Sequence, residues 1–160
     1  MLPQIVKKKS QDQQFPALWQ AVIFRNYGFV STDKIAKTLG CDEKTIEAEA
    51  TRLGLSDVKY DSKWEEAGYQ TIIRHNWYLL NYEQLTTLLG YTEEKLDFIL
   101  KEEDFFFVKL GYEKPDCAEI RYSPLTEEQI KETEAIAKKV QKYWREPTVK
   151  PFEFFSKTGF

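Results

Sequence analysis

The 160-residue sequence predicts a mainly α fold: two tandem three-helix units, the second carrying a β-hairpin, followed by a C-terminal helix. Three observations predict it. The chain aligns with itself without a gap when shifted by 50 positions. Both copies repeat the same helix punctuation, with short polar caps and glycine stops at matching places. The stretch after Thr126 combines a capping signal with an apolar stripe at helical spacing.

The elements follow in order. Residues 1–13 are expected to form a flexible basic arm carrying Lys7, Lys8 and Lys9. The first unit spans 14–60 and the second 61–123. In register, Ile23 meets Ile73, Asn26 meets Asn76, Leu39 meets Leu89, Gly40 meets Gly90 and Glu43 meets Glu93; upstream, Gln20 meets Gln70. A first helix is expected from Pro16 to Tyr27, and its counterpart from Ser62 to Tyr78. Ser31 and Asn81 then stand where a short polar side chain accepts from the free N–H groups of a second helix. Gly40 and Gly90 end that helix, because glycine enters the left-handed region without a Cβ penalty. Asp42 and Thr92 cap a third helix. Its apolar face is Ile46, Ala50 and Leu53 in one copy, and Leu96, Ile99 and Leu100 in the other.

Past the third helix the copies diverge. The first continues as SDVKYDS, a short strand candidate. In the second, FFFVKL and AEIRY are strand-like runs separated by Gly111, Pro115 and Asp116, a pattern that reads as a hairpin. A C-terminal helix occupies 124–146, with Thr126 and Gln129 forming a T-x-x-Q capping box and Pro147 stopping it. Its core stripe is Ile130, Thr133, Ala137, Val140 and Trp144. Residues 147–160 read as an aromatic tail, or as a linker to a further domain.

Composition narrows the function classes. The chain is 42% hydrophobic and 15% aromatic, enough apolar surface to offset chain entropy in a folded core. Its formal net charge of −3 is the wrong sign for a protein built mainly to grip nucleic acid, where phosphate contacts dominate affinity. No apolar run reaches membrane-spanning length, and the basic start lacks the apolar core of a signal peptide. Cys41 and Cys117 show no CxxC spacing and read as reduced thiols of a cytoplasmic protein.

The spacing Ile35-Ala36-x-x-Leu39-Gly40-x5-Ile46, with Leu85-Thr86-x-x-Leu89-Gly90-x5-Leu96 in the second copy, resembles the helix-turn-helix superfamily over about 25 residues per unit. With the hairpin added, the second unit resembles a winged helix. The resemblance implies that the front of each third helix reads base edges, which would assign that role to Glu43, Lys44 and Glu47, and to Glu93, Glu94 and Asp97. Charge opposes it. From Asp42 to Leu53 four acids face Lys44 and Arg52, and from Thr92 to Asp104 six acids face Lys95 and Lys101. Glutamate can accept from cytosine but cannot hold phosphate. A second likeness covers residues 70–130, through HNWYLLNYEQLTTLLGYTEEKLDFILKEEDFFFVKLG and KPDCAEIRYSPLTEEQ. These resemble the N-terminal helical region of large bacterial glycoside-hydrolase-like, barrel-containing proteins of unknown activity. That likeness implies a barrel following this chain, with no catalytic residue of it in these 160 residues.

The site residues follow from these readings. His75, the single histidine, sits in IIRHNWYLL without a second histidine, a serine elbow or an HExxH motif, so no catalytic, cofactor-binding or metal residue is predicted and the chain is read as no enzyme. Phe105, Phe106 and Phe107, beside the acidic run Glu102–Asp104, and Phe152, Phe154 and Phe155 of the tail are the candidate interface with a neighbouring domain or protein partner. The alternative is nucleic-acid binding through Lys138, Lys142 and Arg145 on one face of the C-terminal helix, helped by the basic arm. A third possibility is stacking of a small ligand or carbohydrate on Trp64, Trp77 and Tyr78, whose helical spacing is also that of core residues.

Overall fold

A computed structural model describes residues 1–6, 14–103 and 105–144, and among them the chain is mainly helical. The first half carries α1 (Leu18–Asn26), α2 (Thr32–Leu39) and α3 (Glu43–Arg52). The second carries α4 (Lys63–Glu66), α5 (Tyr69–Asn76), α6 (Tyr82–Leu89), α7 (Glu93–Glu102) and the short α8 (Phe106–Lys109). The long α9 (Glu127–Trp144) follows. Two-residue strands β1 (Ile5–Val6) and β2 (Lys114–Pro115) pair in parallel.

Local chemistry accounts for most of these boundaries. Asp42 accepts from the Thr45 N–H at 2.8 Å, Asn81 from that of Gln84 at 2.8 Å and Thr92 from that of Lys95 at 3.1 Å, so three helices start on the expected caps. Ser31 differs: it occupies the cap position of α2 but makes no capping bond, and its hydroxyl engages the Asp33 carboxylate. Gly40 and Gly90 both lie in the left-handed region, with φ of 75° and 68°, and close α2 and α6. At the start of α9, Thr126 and Gln129 exchange the two bonds of a capping box, at 2.9 and 3.2 Å.

Buried apolar side chains from both halves join in one cluster, among them Phe24, Ile35, Leu39, Ile46 and Leu53 with Ile73, Trp77, Leu85, Leu96 and Phe106. α2 packs along α6, and α1 meets α5. At that second crossing Asn26 and Asn76 form a reciprocal pair. Each Nδ2 donates to the other's Oδ1 at 2.8 Å and to its own i−4 carbonyl, Val22 or Ile72, also at 2.8 Å. Both side chains are buried, and every amide hydrogen is used. Each asparagine thus bonds within its own helix and also links the two halves to each other. α9 lies against α1 and α3: buried Gln20 donates to Thr133 at 2.9 Å, and Gly54 sits close under Ala137. Of the expected α9 stripe, Thr133 and Val140 are buried, Ile130 and Ala137 half-buried, and the Trp144 side chain lies outside what is described.

Three expectations need correction. SDVKYDS, expected as a short strand, forms turn and irregular backbone, since among the described residues no neighbouring strand pairs with it. The first helix of the second half is not continuous from Ser62 to Tyr78; it breaks at Gly68 into α4 and α5. The Trp64 ring, which stacks edge-on against Phe29 at 4.8 Å, lies 2.7 Å from where a Cβ on residue 68 would stand. The indole therefore leaves no room for a side chain at residue 68, where the two helices meet.

The β-hairpin wing does not form. FFFVKL contains helix α8, and AEIRY is not a strand. The reason is periodicity and satisfaction of the backbone. Phe106 and Leu110, four apart, are buried together, and Phe107 between them is half-buried; this is helical spacing. The 118–122 segment finds its partners elsewhere. Tyr122 N–H donates to the Leu39 carbonyl at 2.9 Å, and Ile120 N–H to Gln84 Oε1 at 2.9 Å. Gln84 Nε2 returns bonds to the Ile120 and Thr38 carbonyls at 2.6 and 2.9 Å. The segment therefore seals the C-terminal end of α2, and Tyr122 packs edge-on against Trp19 at 4.8 Å.

Candidate functional site

The three phenylalanines of the candidate interface separate. Phe105 is 78% exposed, Phe106 is fully buried, and Phe107 is half-buried between Trp77 (6.2 Å) and Tyr112 (5.8 Å). Phe152, Phe154 and Phe155 lie outside the described residues, as does Asp104 of the acidic run. Around α8 the exposed apolar side chains are Phe105, Val108 and Tyr112, with Tyr78 beside them, while Phe98, Tyr60, Ile5 and Met1 are exposed elsewhere. Tyr78 joins this face through its hydroxyl, which donates to the Leu110 carbonyl at 3.2 Å.

The backbone under this face is unusual. Phe105 and Tyr112 have φ of 54° and 63°, and among the described residues they are the non-glycine positions with positive φ. A left-handed aromatic residue costs about 1 kcal/mol or more. Both strained residues flank α8 and both point a large ring to solvent. The acidic neighbours are only partly free: Glu103 accepts the Tyr69 hydroxyl, which pushes that phenol up to about 12, while Glu102 is exposed.

A groove of about 600 Å3 runs between the N-terminal residues and α6–α7, lined by Leu2, Pro3 and Ile5 on one side and Tyr82, Thr86 and Glu93 on the other. Tyr82 donates to the Pro3 carbonyl at 2.7 Å, the Met1 amine meets Asp97 at 3.1 Å and Lys101 reaches the Met1 carbonyl at 2.8 Å. Residues 1–6, expected as the start of a flexible arm, are instead packed on the second half. The arm's lysines Lys7, Lys8 and Lys9 lie outside the described residues.

The helix faces carried over from the helix-turn-helix pattern are acidic and solvated. Glu43, Lys44, Glu47, Glu93 and Glu94 are exposed; Asp97 is half-buried and held by Lys101 at 2.9 Å. Glu49 is buried on Arg52 at 2.9 Å. On α9, Lys138 and Lys142 are exposed, and Arg145 lies outside the described residues. Of the aromatic trio considered for ligand stacking, Trp77 is fully buried, Trp64 is half-buried against Phe29, and Tyr78 alone is exposed.

His75 is half-buried beside Arg25, whose guanidinium donates to the His75 carbonyl at 2.8 Å. Burial, and then the charges of Arg25 and Arg74, hold its imidazole down near a pKa of about 4. It is neutral through the physiological range. Among the described residues no group of three or more His, Cys, Asp or Glu could hold a metal ion, and no helix is long and apolar enough to cross a membrane.

Sequence reasoning missed Lys114. It lies in the loop GYEKPDC, where lysine before proline reads as solvated turn, yet it is fully buried. Its Nζ donates to the Leu80 carbonyl at 2.6 Å and the Trp77 carbonyl at 2.9 Å, between the Trp77 and Tyr82 rings. The Trp77 carbonyl stands at the C-cap of α5 and that of Leu80 in the turn before α6, and the amine gives both buried acceptors a partner. No local pattern announces this contact, because the acceptors stand more than 30 residues away in the chain.

Compared with known proteins, the chain matches no family model, and no curated protein or solved structure is detectably similar to it.

Proposed function

We propose that this protein is a non-catalytic interaction module, two helix-turn-helix-like repeats used as a packing scaffold, which binds a neighbouring domain or a protein partner through the face around α8. The observation that carries this reading is the pair of left-handed aromatics. Phe105 and Tyr112 hold strained backbones and expose their rings, where burial would have been the favourable outcome. Strain and exposed apolar area at one place are what a docking face accumulates, since association recovers the area. The acidic third helices support the same reading, because they withhold the recognition surface from phosphate.

Two perturbations of the whole chain test it: Phe105→Ser with Tyr112→Ser, and deletion of 150–160. Sedimentation velocity and solubility are the readouts. Weaker self-association and higher solubility in either variant, at unchanged helicity, are expected. If neither changes in either variant, the interaction reading fails.

A nucleic-acid reading rests on Lys138 and Lys142, exposed one helical turn apart on α9. It predicts mobility shifts of random duplex at low salt, weakening steeply as salt rises. Shifts abolished by charge reversal at Lys138, Lys142 and Arg145 would replace the first reading.

A further inference from the structure

Two reactive groups meet in the interior, away from the aromatic face. Lys114 has no exposed surface, and its Nζ lies 3.5 Å from Sγ of Cys117, which is 5% exposed. The amine is held in place from its other side by the carbonyls of Trp77 and Leu80, with that of Pro115 at 3.3 Å. It cannot swing to solvent without abandoning those acceptors. Cys117 lies between the exposed Asp116 and Ala118, so its sulfur is close to the surface yet nearly covered.

We propose that Lys114 and Cys117 are a peroxide-responsive modification site, at which hydrogen peroxide drives formation of a covalent sulfur–nitrogen bridge between the two side chains. The Cys117 thiolate attacks one oxygen of the peroxide, the O–O bond breaks, and hydroxide leaves and takes up the thiol's proton as water. Sulfur is oxidised by two electrons to the sulfenic acid, and the peroxide is reduced. The neutral Lys114 amine then attacks that sulfur. The S–O bond breaks, the departing hydroxyl takes a proton from nitrogen, and a second water leaves. Thiol, amine and one peroxide become an S–N bond and two waters.

The site favours the second step. Burial pulls the Lys114 amine down towards its neutral, nucleophilic form. Burial also pushes the Cys117 thiol up, and the Lys114 charge draws it partly back, so the first step is slow and needs sustained peroxide. Bridging draws the Lys114 nitrogen away from the Trp77 and Leu80 carbonyls and thereby acts on the elbow between α5 and α6.

Mass spectrometry of the full chain after peroxide treatment tests this. Trypsin cuts after Lys109 and Arg121 but resists the Lys114–Pro115 bond, so both residues fall in the peptide Leu110–Arg121. The expected product is that peptide lighter by about 2 Da, without backbone fragments between Lys114 and Cys117, and restored by reductant. A gain of about 14 Da in the same peptide, the bridge with one oxygen kept between nitrogen and sulfur by a second peroxide, supports the same pair. Lys114→Arg should instead accumulate oxygen on Cys117. Wild-type chain that only gains oxygen at Cys117, or that joins Cys117 to Cys41 as a disulfide, overturns the proposal. The wild-type map decides the matter even if the Lys114 variant does not fold.

Discussion

The Asn26–Asn76 pair offers the sharpest test of how the two halves are joined. Asn76→Ala removes two reciprocal bonds and leaves on Asn26 one amide hydrogen and one carbonyl oxygen without partners, in a site only 1% exposed. Each stranded buried group costs about 1–3 kcal/mol, so the variant should lose about 3 kcal/mol. Asn26→Ala should lose a similar amount by the symmetric argument. The double variant strands neither partner. It forfeits the bonds and leaves a small cavity, so its loss should be about 4 kcal/mol rather than the sum. The coupling between the two positions is then about 2 kcal/mol, well above the few tenths found for independent sites. Urea unfolding followed by far-ultraviolet circular dichroism, with slopes compared across all four chains, measures it. Single losses that add within about 0.5 kcal/mol would refute the reasoning, because they would mean the side chains act separately on their own helices.

Other consequences can be checked the same way. Gly68→Ala should cost about 1–3 kcal/mol, since a Cβ there would stand 2.7 Å from the Trp64 ring; Trp64→Leu should reduce that penalty in the double variant. Lys114→Ala should destabilise by about 2–4 kcal/mol through the Trp77 and Leu80 carbonyls, read as a fall in the urea midpoint. His75 gives a pH signature. Its native pKa of about 4 lies below the ordinary value of 6.5, so the unfolded chain binds the extra proton first. Stability contributed this way is complete above the ordinary value and falls as pH drops towards the native one, by about 1 kcal/mol once solvent screening of this half-exposed ring is allowed for. His75→Gln should flatten that part of the pH–stability curve.

How much was legible in the sequence depends on the range of the interactions involved. Asp42, Asn81, Thr92 and the Thr126–Gln129 box act within one helical turn, as do the glycine stops, so the starts of α3, α6, α7 and α9 could be read directly. The apolar triads of α3 and α7 were equally readable, because helical periodicity is a local property. The misses share a cause. FFFVKL has strand-forming residues, but burial of Phe106 with Leu110 made it helical, and AEIRY paired with the end of α2 instead of with it. The depth of Lys114 came from carbonyls more than 30 residues back in the chain. For the candidate interface, composition located the aromatic run, but which ring faces solvent was decided by the left-handed turns at Phe105 and Tyr112. Caps and periodicity are settled between residues one turn apart, and the sequence by itself determined them. Orientation and burial depend on what the rest of the chain places opposite, and only the tertiary structure decided those.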